Sequence, residues 1–230
     1  MASVKPLLKK QSLRSDEFKN FRPISNLGFL SKVVEKYVAK QLIDYLDANG
    51  LNVSYQSAYR KLDSTETALI RVHYDIAIVS DQKRSVILLI LDLSAAFDSV
   101  DHCILLSRLS RRFGVGGTAL AWFQSYLGDR IQFVNTNGST FERRVLQFGV
   151  PQGSVLGPFL FSLYTSPLSN IASKRELSFR FYADDRQLYV TFETSSLNDM
   201  QLSKCRLEGC VLVIDSWTLL NKLNSNKDKT

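Results

Sequence analysis

Three aspartates in this 230-residue chain stand where carboxylates could act together. Asp184 and Asp185 are adjacent in FRFYADDRQLYV, residues 179–190, between two segments rich in aromatic residues. Asp92 closes the apolar run VILLILDL, residues 86–93. Left uncompensated, carboxylates gathered at one place repel one another and at least one pKa rises. A hard divalent cation removes that cost, because Mg²⁺ takes oxygen ligands and keeps substrate phosphates in its shell. Two such ions about 4 Å apart activate an attacking hydroxyl and stabilise a leaving pyrophosphate. The residue types thus permit phosphoryl-transfer chemistry. Asp is also a common turn residue, so spacing alone leaves a plain acidic turn equally open.

The elements around these acids decide whether they can meet. The run from Val86 ends in charge and is rich in branched residues, which predicts a strand buried on both faces. LSFRFYA and RQLYVTF predict a hairpin with the acid pair at its tip. If its strands neighbour the first, the three carboxylates converge at one sheet edge. Helices are predicted over 26–49, from DSTE at 63–66 to about Ser80, and from Val100 to Arg112. Asp63 is expected to cap the second of these and Asp98 or Ser99 the third, with Asp101 a first-turn acid. Thr118 is expected to cap ALAWFQSYL. RIQFVNTNGSTFERRVLQF reads as a hairpin turning at Asn137-Gly138, GVPQGSVLGP as a loop, and FLFSLYTSPLSNIA as helix through Pro167. A long helix is expected over 196–222. Strands and helices in this order predict a mixed α/β (α+β) fold with an antiparallel central sheet.

Bulk properties narrow the class. Hydrophobic residues make up 45% of the chain, enough for a sizeable core. No apolar run approaches the roughly 20 residues of a membrane span, and the basic, polar N-terminus lacks a signal-peptide core. Cys103, Cys205 and Cys210 form no CxxC pair, which predicts free thiols and an intracellular protein, nucleus or cytoplasm undecided. The net charge is +7. Nine Lys or Arg against three acids within residues 1–40 place most of that excess there, as a polyanionic partner or a merely solvated basic segment would require. His73 and His102 have no partner at ligand spacing, and Trp122 and Trp217 sit at helical periodicity; all four are expected to be structural.

LDLSAAFDSVDH, GVPQGSVLGP and FYADD occur in that order, preceded by NFRPISNLGFLSKVVEK and YQSAYRKLDSTETAL. Together these blocks resemble the reverse transcriptase domain of non-LTR (LINE-type) retrotransposons, of the jockey and chicken-repeat kind, over nearly the whole chain. The resemblance implies a right-hand polymerase, with a fingers-like region over 1–85, a palm-like region over 86–230, and no thumb. It implies an RNA template, a DNA primer and dNTP substrates, and two Mg²⁺ ions, with Mn²⁺ as a substitute. Asp92, Asp184 and Asp185 match the catalytic and metal-binding acids, and Leu93 would lend a backbone carbonyl. Phe97 matches the bulky residue that excludes a ribose 2′-hydroxyl. Pro151, Gln152 and Gly153 match the PQG loop of the nucleotide pocket. Arg22 and Lys32 match fingers residues that grip the triphosphate, and Arg60 would track the template backbone.

Two departures from the family pattern stand out. Arg186 follows the acid pair where related elements more often carry Thr, either competing with metal for Asp185 or pointing away along its strand. NKLNSNKDKT resembles a shortened form of the following block, in which Lys229, or alternatively Lys227, would protonate pyrophosphate. The competing expectation is a truncated element product that binds nucleic acid without catalysis. Oligomeric state is not indicated by the sequence.

Overall fold

The computed structural model describes residues 1–51, 56, 63–136, 139–183 and 185–226. In chain order the elements are β1 (Ala2–Leu8), β2 (Phe21–Asn26), α1 (Phe29–Ala48), α2 (Thr65–Asp81), β3 (Arg84–Leu91) and β4 (Leu93–Ser94). There follow α3 (His102–Phe113), α4 (Gly117–Leu127), β5 (Ile131–Thr136), β6 (Ser139–Thr140) and β7 (Arg144–Val145). The chain continues with α5 (Leu156–Thr165), α6 (Pro167–Lys174), β8 (Ser178–Tyr182), β9 (Asp185–Glu193), α7 (Leu197–Leu220) and β10 (Asn224–Ser225). None of the helices is long and apolar enough to cross a membrane among the described residues.

These elements form two compact units, each assembled from two separate stretches of chain: 1–52 with 97–161, and 53–96 with 162–230. The first unit contains a sheet of order β2-β1-β5-β6, with β7 also on β5. Its β1–β5 pairing is parallel and β1–β2 antiparallel. Here α1 buries Glu35, Ala39, Leu42 and Leu46, a three-and-four spacing that keeps one stripe of the helix inward. Asp101 starts α3 by accepting the N–H of Ile104 at 2.9 Å, and Gly114 ends it at φ 68°. Both features are what orphaned helix ends require.

The second unit is organised on an antiparallel sheet of order β3-β9-β8, with a short β10–β4 ladder. One face of the sheet carries Leu91, Phe179, Phe181, Leu188 and Val190, packed with α6 and α7 through Leu168, Ala172, Leu207 and Ile214. Strand alternation sends every second residue to the other face. That face holds a polar cluster: Arg180 of β8 reaches Asp75 of α2 at 2.9 Å, and the Tyr189 hydroxyl of β9 bonds the same carboxylate. Burial, together with the Asp75 carboxylate, pushes the Tyr189 phenol far above its ordinary range.

Several local expectations are corrected by this arrangement. β3 is not buried on both faces: it is an edge strand, and Leu88 and Ile90 are 40% and 48% exposed. Ser64, not Asp63, caps α2, in a reciprocal box with Thr67; Asp63 pairs instead with Arg71. Asp101 rather than Asp98 or Ser99 caps α3, and Gly116 rather than Thr118 precedes α4 with no side-chain cap. The helix does not run through Pro167. It stops at Thr165, and Pro167 opens α6, where its missing N–H costs nothing. The hairpin around 137–138 is present as the β5–β6 pair, its turn residues lying outside those described. All three cysteines are free, and Trp217 packs against the second unit's core.

Candidate active site

Asp92 and Asp185 lie at one end of the second unit's sheet. β3 and β9 pair antiparallel with Ile90 opposite Gln187 and Leu91 opposite Arg186. Carried on by one residue, that register sets Asp92 level with Asp185. Residues opposite one another in a ladder share a face, and alternation places both carboxylates on the face away from α6 and α7. β8 and β9 close with Tyr182 opposite Asp185, and Ala183 follows the last residue of β8. Ala183 lies at φ 54°. Asp184 lies outside the described residues, as do Arg60, Lys227 and Lys229.

Asp92 is held from a distant part of the chain. β10 pairs with β4, Ser225 opposite Leu93. This brings Asn226 alongside Asp92, where its backbone N–H donates to the Asp92 carbonyl at 2.9 Å and its carboxamide to Oδ2 at 2.8 Å. Leu93 is buried. Arg186, by contrast, faces the core: it is 2% exposed, with its guanidinium 5.8 Å from the Phe181 ring centroid. Alternation sends it to the face opposite that of Asp185.

The first unit holds Phe97, Gln152 and Gly153. The carbonyl of Phe97 accepts the N–H of Val150 at 2.8 Å, and that of Val100 accepts Gly149 at 2.7 Å. The Phe97 ring lies 4.9 Å from that of Phe161, tilted by 32°. Two residues beyond Val150, Gln152 gives its carbonyl to the N–H of Ser25 at 2.7 Å and its carboxamide to Asp98 Oδ2 at 2.9 Å. Burial pushes the Asp98 carboxyl above its ordinary range, and the Gln152 bond partly opposes that rise. Gly153 turns at φ 102°, and a Cβ there would lie 2.9 Å from the Ser25 carbonyl oxygen. Only glycine allows this close approach of loop and strand.

The loop is also fastened at its far end. Glu35 of α1, 1% exposed, accepts the N–H groups of Val155 at 2.6 Å and Leu156 at 3.4 Å, and the Tyr126 hydroxyl at 3.1 Å. It thereby satisfies donors at the start of α5. Burial, with the neighbouring Glu35 charge, raises the Tyr126 phenol to about 12, against the lowering effect of Arg130.

A profile of the family described as reverse transcriptase (RNA-dependent DNA polymerase) matches residues 8–230. The chain belongs to the reverse transcriptase family. This reverse transcriptase domain is 32% identical over 216 residues to the "Probable RNA-directed DNA polymerase from transposon BS" of Drosophila melanogaster, covering 92% of this chain and 23% of that protein. It is 31% identical over 182 residues to the "Probable RNA-directed DNA polymerase from transposon X-element" of the same fly, covering 78% and 20%. Against the RNA-directed DNA polymerase from mobile element jockey, also of that fly, identity is 29% over 172 residues, covering 72% and 18%. The chain thus spans about a fifth of the length of these curated non-LTR relatives.

Among solved structures the domain is similar to an apo telomerase from Candida tropicalis, with TM-score 0.64 and 14% identity over 99% of this chain and 43% of that one. At that identity the likeness shows the fold, the fingers and palm of a right-hand polymerase. Of the triphosphate candidates, Arg22 is an exposed residue of β2, three positions before Ser25, and Lys32 is half-buried in the first turn of α1. Among the described residues no group of three or more His, Cys, Asp or Glu is placed to hold a metal ion. The donors present, Asp92 and Asp185 with the adjacent Leu93 carbonyl, are all oxygen and suit a hard cation.

Gln56, Asn226 and Glu35 were not singled out by their sequence context. Asn226 lies within the quoted NKLNSNKDKT and Gln56 within YQSAYR, and that proximity to motif residues was the only available signal.

Proposed function

We propose that this domain is an RNA-directed DNA polymerase, joining deoxynucleotides to a primer 3′-hydroxyl on an RNA template. The observation that supports the reading is the β3–β9 register, whose last pair, Leu91 opposite Arg186, has Asp92 and Asp185 as its immediate neighbours at one end of the sheet. Membership of the reverse transcriptase family supports it. Asp92, Asp184 and Asp185, with the Leu93 carbonyl, would hold two divalent ions, Mg²⁺ or in its place Mn²⁺. Bound there, such ions lower the pKa of the attacking hydroxyl and neutralise charge on the departing pyrophosphate.

The chain's own residues do the rest. Asn226 fixes one oxygen of Asp92 and so orients the carboxylate. Phe97, braced by Phe161, presents a ring that clashes with a 2′-hydroxyl and so selects deoxyribose. Gln152 and Gly153, tied to Ser25, form a rigid rim along which a nucleotide can approach backbone closely. Arg22 and Lys32 supply positive charge for the triphosphate in the fingers-like region 1–85, and the palm-like region 86–230 carries the acids. Lys229, or Lys227, is assigned to protonate the leaving pyrophosphate. In phosphoryl transfer of this kind, positioning and charge stabilisation supply most of the rate.

Primer extension on a short RNA template with dNTPs and Mg²⁺ tests the reading. Incorporation that disappears in Asp92→Asn and Asp184→Asn supports it, and Phe97→Ala is expected to admit ribonucleotides. Template binding without incorporation favours the alternative, a nucleic-acid-binding remnant.

A further inference from the structure

We infer that Gln56 is a positioning residue for the acidic turn, clamping Ala183 in its left-handed bend and so fixing the direction in which the following carboxylates leave the sheet. The inference rests on the polymerase reading for its consequence, but on geometry for its substance. Gln56 and the hairpin both belong to the second unit.

Ala183 stands between the last residue of β8, Tyr182, and the acid pair in sequence. It has φ 54°, a region that costs a residue bearing a Cβ roughly 1–2 kcal/mol. Such a conformation persists only where its surroundings impose it. Ala183 is also buried, at 7% exposure, so its peptide groups are largely removed from water. One side chain meets both: the Ala183 N–H donates to Oε1 of Gln56 at 3.1 Å, and Nε2 of Gln56 donates to the Ala183 carbonyl at 3.4 Å. Gln56 is itself 4% exposed and forms a parallel bridge with Phe181 of β8. Its carboxamide therefore extends the ladder past the end of the strand, serving as a substitute rung for a residue that has no strand partner in the turn.

The chemistry of the side chain is specific. A carboxylate at position 56 could accept from the Ala183 N–H, but could not donate to its carbonyl, and would add a like charge beside an acid pair. An apolar side chain would leave a buried N–H and C=O unsatisfied, at about 1–3 kcal/mol for each. Free of the clamp, Ala183 is expected to relax toward negative φ, which swings the chain that carries Asp184 and Asp185.

The test compares the wild-type domain, Gln56→Met, and Gln56→Met combined with Ala183→Gly. Two quantities are read: hydrogen exchange of the turn amides without metal, and Mn²⁺ affinity by calorimetry. Gln56→Met is expected to speed exchange at Ala183 and to weaken Mn²⁺ binding by about tenfold, the scale on which outer partners tune a metal site. Glycine adopts φ 54° without strain, so the double variant is expected to recover most of the Mn²⁺ affinity. A merely structural Gln56 would give no such rescue. Unchanged turn exchange in folded Gln56→Met overturns the clamp. Faster exchange in a domain whose wild type binds no Mn²⁺ sustains the clamp and sinks the metal reading instead. If Gln56→Met alone does not fold, the double variant is expected to fold, and its failure to do so overturns the assignment.

Discussion

Asn226 bonds Asp92 twice, its carboxamide donating to Oδ2 at 2.8 Å and its backbone N–H to the carbonyl at 2.9 Å. A neutral donor there offsets part of the charge of a carboxylate that has another acid across the sheet. Replacing the amide by an acid removes the donor and adds a like charge. Asn226→Asp is therefore expected to destabilise the metal-free domain by about 1 kcal/mol, the scale of one net hydrogen bond. Millimolar Mg²⁺ is expected to restore more thermal stability to this variant than to wild type. Melting curves with and without Mg²⁺ check this, and equal shifts in the two proteins would contradict it.

Glu35 accepts from two backbone amides and a tyrosine hydroxyl while almost fully buried. Glu35→Ala leaves those donors without an acceptor and opens a small void. The expected loss is about 3 kcal/mol, as for other broken buried networks. Urea denaturation measures it. A loss below about 0.5 kcal/mol, the range of a surface change, would mean that water replaces the carboxylate.

At Gly153 the backbone conformation and the nearness of the Ser25 carbonyl act together. Gly153→Ala is expected to cost about 1–3 kcal/mol. It also pushes the loop off β2, lengthening the bond from Ser25 N–H to the Gln152 carbonyl. Faster amide exchange at Ser25 in the variant is the corresponding readout.

The Asp98 carboxyl has a folded-state pKa raised above the ordinary 3.8, chiefly by burial. The sign follows: its contribution favours folding below that ordinary value and is lost as pH rises through the folded pKa. Asp98→Asn removes this dependence, so the variant is expected to gain on wild type as pH climbs from 3.8 through that window. Gln152→Ala deletes the bond that holds the pKa down and is expected to move the window upward. Denaturation midpoints across pH, with direct titration of the carboxyl, decide both.

The parts of this molecule that the sequence makes plain are those governed by neighbours in the chain. The apolar run into Asp92, the strands flanking the acid pair and the long helix α7 follow from periodicity over a few residues. Caps were harder, because Asp63 and Ser64 are both competent and only the entry angle of α2 decides between them. The exposed face of β3 is hidden in the sequence for a related reason: Val86, Leu88 and Ile90 are as apolar as Ile87, Leu89 and Leu91, so composition carries no sign of which side is covered. Gln56 and Asn226 were invisible in a different sense. Each reaches its partner across 127 or 134 positions, and an uncharged amide in an unpatterned segment announces nothing about where it bonds.

The two compact units are built from stretches that alternate along the chain, so each joins residues far apart in sequence. A ribosome making this protein therefore releases Asp92 long before it releases Asn226, and for that interval the aspartate lacks the amide that later steadies it. The acid-bearing edge is braced only once Asn226 has followed β9 and α7 out. A nascent chain that has emerged only as far as β9 would display Asp92 and Asp185 without the brace that β10 brings alongside Asp92.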